Sequence, residues 1–436
     1  MAESYHLADT IYALASGHGA AGVAVIRVSG NRAWEIARAL SGLKKIQPRH
    51  AYVAPLRHNG QELDKAVLLC FKAPRSFTGE DVAEFHVHGG RAVVQAVSDA
   101  IADTGARPAE RGEFSRRAVV NGKMDLTQAE GLMDLIGAQT EKQRAQALSQ
   151  LDGRLAALYD GWRDRLVRHM AYLEAFIDFP DEDIPPEKLR RIDADLAELA
   201  GEVARYLNDN KAGEKLRTGF QIAIVGAPNV GKSSLINALT RREVAIVSQT
   251  AGTTRDIVEA HLDVDGFPVI LADTAGLRET RAEIESEGIR RAVRRAEEAD
   301  LVLHVLDASD NGAADKIAIK NSRVIRVWNK IDRIAGKPPE GLAVSAKTGK
   351  GIAALWEAVK SVLHADFASS TGITRDRYRV ALEEAHRALA NAVRVSELEL
   401  KAEELRLAAR ALGRITGRID ADELLDVIFR DFCIGK

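Results

Sequence analysis

The sequence predicts a multidomain chain of mixed α/β and α+β class. An N-terminal α+β domain is followed by a discontinuous helical domain, with a Ras-like P-loop domain inserted between its two parts. Three observations carry this. Gly226 to Ser234 read Gly-Ala-Pro-Asn-Val-Gly-Lys-Ser-Ser directly after the apolar run Phe220 to Val225, the setting of a buried strand turning into a helix. Residues 1 to about 120 mix short β-type runs with one or two helices. Two long helical patterns flank the phosphate loop without strand partners, so the apolar stripe of each needs the other as cover.

In chain order, Val23 to Val28 and Ala66 to Phe71 are apolar and β-branched enough for buried strands. Val82 to His88 alternates as a strand until Gly89-Gly90 breaks it, and Arg91 to Thr104 has helical periodicity ending at Gly105. From Leu126 to residue 176 the helical pattern is nearly continuous and rich in Ala, Leu, Gln and Arg. Asp178-Phe179-Pro180 through Pro185-Pro186 interrupts it, and a further helix runs from Glu187 to about Lys215. The P-loop region begins at Gly219, and helical pattern returns from about Arg375 to Phe432. The expected domains are residues 1–120, 121–216 with 373–436, and 217–372. There is no internal repeat or low-complexity tract.

The chemistry sits in the inserted region. Gly226 and Gly231 let the backbone curl, with Asn229 and Val230 between them, so that N–H groups and the following helix's positive end face a phosphate chain. Lys232 reaches the β/γ-phosphates, Ser233 holds Mg²⁺, and Ser234 closes the loop. Asp273-Thr274-Ala275-Gly276 follows the apolar stretch Phe267 to Ala272, which puts a carboxylate near the magnesium and a glycine N–H near the γ-phosphate. Asn329-Lys330-Ile331-Asp332 follows the strand-like Val324 to Trp328. The Asp332 carboxylate can accept from guanine's ring N–H and exocyclic amine together, whereas adenine offers an acceptor at that ring nitrogen. Ser345-Ala346-Lys347 supplies a second base-contacting loop. Order, spacing and strand-end placement agree on guanine-nucleotide binding, hence a P-loop GTPase domain with GTP and Mg²⁺.

Composition narrows the rest. A formal net charge of −2 and 5% aromatics argue against a coat-like nucleic-acid binder or a base-stacking platform. Two cysteines, Cys70 and Cys433, make neither a disulfide framework nor a metal quartet. The N-terminus lacks an apolar signal core and no run approaches membrane-spanning length, so a soluble, cytoplasmic protein with no membrane partner is expected.

Asp9-Thr10-Ile11 and Gly22 to Gly30 (Gly-Val-Ala-Val-Ile-Arg-Val-Ser-Gly) resemble the start of the tRNA modification GTPases called MnmE or TrmE. Phe77-Thr78-Gly79-Glu80-Asp81, His88-Gly89-Gly90, Arg111-Gly112-Glu113-Phe114-Ser115, Lys123-Met124-Asp125-Leu126 and Phe179-Pro180-Asp181-Glu182 continue the likeness. It closes on Phe432-Cys433-Ile434-Gly435-Lys436 and covers essentially the whole chain. Ser16-Gly17-His18 departs from the family's usual Thr-Pro-Pro. The resemblance implies an FAD-containing partner of the MnmG (GidA) type, in a heterotetramer, and tRNA as substrate. It implies a homodimer through a folate-binding N-terminal domain. An aminomethyl-type group, carboxymethylaminomethyl among them, is added at C5 of the wobble uridine. The carbon comes from a tetrahydrofolate derivative (5-formyl or methylene), and GTP hydrolysis drives the conformational cycle. By motif position Arg27, Glu80, Lys123 and Lys436 contact the folate, basic groups suiting its glutamate and Glu80 its pterin.

The residue after Asp-x-x-Gly is Leu277, which cannot orient water. Glu283 and Glu285 follow, and Glu285 matches the family's catalytic position, set against the alternative of a solvated loop charge. The resemblance further implies K⁺ at Asn229, Ser248, Thr250 and Thr253, in place of an arginine finger, with Thr254 as second Mg²⁺ ligand. Cys433 is either a nucleophile or redox participant, or a small packed hydrophobe. His86 and His88 share a strand face without further ligands nearby, which favours a structural role. Arg290, Arg291, Arg294 and Arg295 form a basic stripe that Glu297 and Glu298 can pair, usually a solvated face. Two functions remain open: a tRNA-modifying GTPase, and a GTP switch of ribosome assembly that shares the nucleotide domain.

Overall fold

The computed structural model describes residues 9–17, 19–179, 186–209, 211–241, 244–245, 259–273, 294–310, 320–321, 323–336, 341–368, 372–419, 425, 428–429 and 432–435. The chain divides into two compact units. One takes residues 1–133, 151–163 and 412–436, the other residues 134–150 and 164–411.

The first unit is built on a six-stranded sheet. Its strands are β1 (Ile11–Leu14), β2 (Ala21–Ser29), β3 (Tyr52–His58), β4 (Gln61–Phe71), β5 (Val82–Gly89) and β6 (Arg107–Pro108), in the order β3-β4-β5-β2-β1-β6. Alternation sends Ala24, Ile26, Val28, Leu68, Cys70, Phe85 and Val87 to one face, where the helices Ala33–Ser41 and Arg91–Ala102 cover them. Arg27 and Ser29 point to the opposite face. There Ile11, Ala13 and Ala109 pack with Phe114 of the helix Glu113–Val120 and with Phe77. β3 turns into β4 through Asn59-Gly60, both at positive φ (49° and 80°), the geometry of a tight two-residue hairpin. A smaller core gathers Leu126 and Ala129 with Leu425, Phe429 and Phe432.

The second unit carries a seven-stranded sheet. Its strands are β7 (Phe220–Val225), β8 (Val244–Ala245), β9 (Glu259–Val264), β10 (Phe267–Asp273), β11 (Leu301–Asp307), β12 (Val324–Asn329) and β13 (Leu342–Ala343), in the order β13-β12-β11-β7-β10-β9-β8. β10, β7, β11, β12 and β13 run parallel, and β9 and β8 continue antiparallel. Every residue of β11 is buried, as expected of a central strand covered on both faces. The helices Lys232–Thr240 and Ile352–Asp366 close the core with Leu235, Leu239, Leu355 and Val359.

The helical stretch from Leu126 to residue 176 is three helices: Leu126–Gly137, Glu141–Leu151 and Arg154–Asp178. Thr140 makes the first break. Its hydroxyl accepts from the Gln143 amide (3.4 Å) while Gln143 Oε1 accepts from the Thr140 amide (3.2 Å), a capping box that starts a new helix. Gly153, at φ 79°, makes the second. Among the described residues no helix is long and apolar enough to cross a membrane.

Candidate functional site

Close approach dictates the shape of the phosphate loop. After Val225 the chain passes so near β11 that a Cβ at Gly226 would lie 2.2 Å from the Val305 carbonyl oxygen. A Cβ at Gly231 (φ 95°) would lie 2.4 Å from Asn329 Nδ2. Only glycine fits either place. Gly231 is the N-cap of the helix Lys232–Thr240, whose first-turn N–H groups have no carbonyl partners within the helix. Lys232 Nζ donates to the carbonyls of Gly226 (2.9 Å) and Ala227 (3.0 Å), so the ammonium lies along the inside of the loop. Ser233 and Ser234 are exposed in the first helical turn, whereas the Val230 side chain is buried in the core.

Asn329 and Lys330 are locked to this loop. Asn329, at the end of β12, is 2% exposed, which leaves its amide no water to turn to. Its Nδ2 donates to the Val230 carbonyl (2.9 Å), and its Oδ1 accepts from the Ala346 amide (3.0 Å). One side chain therefore joins the phosphate loop to the Ser345-Ala346-Lys347 loop. Asp332 Oδ1 accepts from Ser345 Oγ at 2.5 Å, and that bond is the largest cause holding its carboxyl below the usual carboxylate range. Lys330 Nζ donates to the Asn229 carbonyl and to Asp307 Oδ2, both at 2.5 Å. Asn229 itself is exposed at the loop apex with φ 63°. A cavity of about 700 Å³ lies between these parts, with Gly231 and Ser234 on one side and Asn329, Lys330, Asp332 and Lys347 on the other. That is the volume of a small-molecule site with few, fixed polar groups.

Asp273 is the last residue of β10, paired in register with Ile224 beside the loop. Ser248, Thr250, Thr253, Thr254, Thr274, Ala275, Gly276, Leu277, Glu283, Glu285, Arg290, Arg291 and Lys436 lie outside the described residues. Arg294 pairs with Glu298 across one helical turn (2.9 Å) on an exposed surface.

In the first unit, Glu80 and Lys123 flank one glycine. Gly79 has φ 80°, and a Cβ there would meet Lys123 Cγ at 3.2 Å. Glu80 Oε2 accepts from Ser29 Oγ (2.7 Å), and Arg117 Nη1 reaches both Glu80 oxygens (3.1 and 3.0 Å). Arg117, completely buried, also donates to the Asp9 carbonyl (2.8 Å) and to Glu113 (2.9 Å). Burial pushes the Glu113 carboxyl up, but hydrogen bonds from Arg107 and the Glu110 amide, together with Arg117, outweigh it and hold the group below its usual range. Arg27, two residues from Ser29 on the same strand face, pairs with Glu84 (2.9 Å) and lies over the rings of Phe77 (5.1 Å) and Phe114 (5.8 Å).

Cys433 is exposed. Its carbonyl accepts from the Gly112 amide (3.3 Å), Ile434 bridges to Arg111, and a Cβ at Gly435 would lie 2.2 Å from the Leu14 carbonyl oxygen. His88 pairs with Asp64 (2.7 Å) and His86 with Glu84 (3.4 Å). Sequence reading missed Arg117, Glu84 and Asp307. Asp307 carried a usable signal, since it ends an apolar run just as Asp273 does. Arg117 carried none.

Residues 126–433 match the family model described as the MnmE helical domain, and residues 10–123 match that of the GTP-binding protein TrmE N-terminus. A relative from Paramagnetospirillum magneticum, named tRNA modification GTPase MnmE, is 51% identical over 99% of this chain and 100% of its own. Relatives of the same name from Rhodospirillum rubrum and Parvibaculum lavamentivorans are 51% and 50% identical, each over 98% of this chain and 99% and 100% of their own. Among solved structures, the G domain of the T. maritima FeoB iron transporter is 25% identical over 34% of this chain and 98% of its own, with a TM-score of 0.22.

Proposed function

Because the chain belongs to the family of tRNA modification GTPases named MnmE or TrmE, we propose that it hydrolyses GTP to drive a modification of tRNA. In this reading residues 217–372 are the GTPase domain, 121–216 with 373–436 the helical domain, and 1–120 the folate-binding domain through which the chain dimerises. The observation that supports it most is the joining of the phosphate loop and the base-reading turn by Asn329 around one cavity.

The phosphate chain lies along the N–H groups that open the helix at Gly231, and Lys232 leaves the Gly226 and Ala227 carbonyls for the β/γ-oxygens. These donors stand where negative charge spreads as the γ-phosphoryl moves to water, which is the main lever in phosphoryl transfer. Asp332, oriented by Ser345, accepts from the guanine ring N–H and amine. Ser233 with Thr254 would hold Mg²⁺, and Asp273, Thr274, Ala275 and Gly276 would serve the γ-phosphate. Asn229, Ser248, Thr250 and Thr253 would hold K⁺, and Glu285 would orient water. The hard oxygen donors at the exposed Asn229 and Ser233 suit such cations. The metals supply neutralisation of phosphate charge.

Arg27, Glu80, Lys123 and Lys436 form the proposed tetrahydrofolate contacts. The donor set fits, with cationic groups for the glutamate tail and the half-buried Phe77 ring beside Arg27 for a flat heterocycle. The folate supplies a one-carbon unit. An FAD-containing MnmG-type partner completes the enzyme, the wobble uridine of tRNA is the substrate, and the exposed Cys433 stands as a nucleophile. Nucleoside analysis of tRNA from a strain lacking this gene tests the reading: the C5-modified wobble uridine disappears, and its undiminished presence refutes the assignment. Titration of the full chain with 5-formyltetrahydrofolate tests the folate site separately.

A further inference from the structure

We propose that Asp307 is a positioning residue of the nucleotide site. Its carboxylate fixes the Lys330 ammonium over the phosphate loop and so ties the base-reading turn to the loop apex at Asn229. The inference rests on the reading of this cavity as the guanine-nucleotide site.

β11 and β12 run parallel with Asp307 directly opposite Asn329, so the strand topology delivers the carboxylate beside the turn that follows. Its two oxygens have separate duties. Oδ1 accepts from the Ser309 amide (2.9 Å) and hydroxyl (2.6 Å), which fixes the plane of the carboxylate and aims Oδ2 at Lys330 Nζ (2.5 Å). Lys330 sits in the left-handed region (φ 65°), and its Nζ also reaches the Asn229 carbonyl (2.5 Å). Both side chains are largely buried, at 12% exposure for Asp307 and 20% for Lys330. An ammonium in that setting needs a counter-charge, because a lone carbonyl does not compensate its desolvation.

The Asn229 peptide gains most from the arrangement. A non-glycine residue at φ 63° holds a conformation that costs about 1 kcal/mol, and the Lys330 bond to its carbonyl stabilises it there. Asn329 holds Val230, the next residue, from the same turn. Two adjacent carbonyls of the phosphate loop are thus gripped by two adjacent side chains of the base-reading turn. Asp307 is the anchor behind the second grip. Without it, base contact and phosphate-loop geometry lose one of the two ties that make them a single binding event.

The test uses the full-length chain and its variants Asp307→Asn, Lys330→Met and the double variant. Asn is nearly isosteric and its Oδ1 still accepts from Ser309, so the packing is kept while the charge is removed. GDP and IDP dissociation constants are measured by fluorescent-nucleotide competition, with thermal unfolding of the nucleotide-free protein alongside. Loss of a hydrogen bond to a charged group predicts roughly tenfold weaker GDP binding in Asp307→Asn. The GDP/IDP affinity ratio falls with it because the Asp332 turn is loosened, and nucleotide-free melting falls as well, because Lys330 loses its counter-charge. In the double variant the loss equals that of Lys330→Met alone, since Asp307 acts through Lys330. GDP affinity within twofold of the parent in Asp307→Asn, or losses that multiply in the double variant, overturns the proposal. Because lower stability by itself weakens apparent affinity, hydrogen exchange at the Asn229 and Val230 amides of Lys330→Met separates the two effects: unchanged protection there also overturns the proposal. A parent chain that binds no GDP refutes the nucleotide-site reading itself, a separate outcome.

Discussion

Arg117→Met in the first unit cuts the chain Arg107–Glu113–Arg117–Glu80 at a side chain that is 1% exposed. Methionine retains much of the volume but none of the donors, so the hydrogen bonds to the Asp9 carbonyl, Glu80 and Glu113 are lost together. Removing one partner of a buried ion pair costs about 3–5 kcal/mol. The lower end applies here, because Glu113 keeps Arg107 (2.7 Å) and Glu80 keeps Ser29 (2.7 Å). A loss of about 3 kcal/mol lowers the folding equilibrium of this unit roughly 150-fold. A chain of several domains does not melt as one step, so the readout is hydrogen exchange at the β1, β2 and β5 amides of the full-length protein. Protection there falls by that factor. The double variant Arg117→Met with Glu80→Gln recovers part of it, since a neutral amide needs no counter-charge. The pH dependence has a definite sign. The folded Glu113 carboxyl is held below its ordinary value, so its contribution is fully present above about pH 4.5 and is lost as pH falls through the folded value. Without Arg117 that depression shrinks, and the gap between parent and variant narrows below about pH 4.5. A protection change under fivefold at neutral pH, or a gap that widens in acid, refutes the reasoning.

Other outcomes follow from the second unit. Gly226→Ala brings a methyl to 2.2 Å from the Val305 oxygen and displaces the loop, so nucleotide binding measured by fluorescence is abolished while far-UV circular dichroism is retained. IDP lacks the exocyclic amine of the proposed Asp332 contact, and a lost hydrogen bond to a charged acceptor makes it bind the parent roughly 10- to 100-fold more weakly than GDP. Replacing Na⁺ by K⁺ raises GTP hydrolysis about tenfold or more by phosphate release, in line with the worth of one charge placed at a transferring phosphoryl group. Equal rates in the two salts remove Asn229 from the cation site.

How far the sequence is legible depends on the range of the interaction. Gly226, Gly231 and Lys232 announce themselves because strand, turn and helix are consecutive, so the pattern and the geometry are one local fact. The 3.6-residue pattern after Leu126 ran through the breaks at Thr140 and Gly153, because apolar spacing resumes on both sides and only the Thr140–Gln143 capping box marks the first. The hairpin at Asn59-Gly60 and the apolar run ending at Asp307 are equally local and carry a sequence signal of their own.

By itself the sequence determined the fold class, through short-range periodicity, and the family, through the resemblance of its motifs and their order. Only the tertiary structure decided which residues are already committed. Arg117 meets Glu80 from 37 residues away, Lys330 meets Asp307 across 23, and Gly435 lies against Leu14 near the other end of the chain. Charge pairing at such separations is set by strand order and by the scarcity of water around buried ions. A linear pattern carries neither.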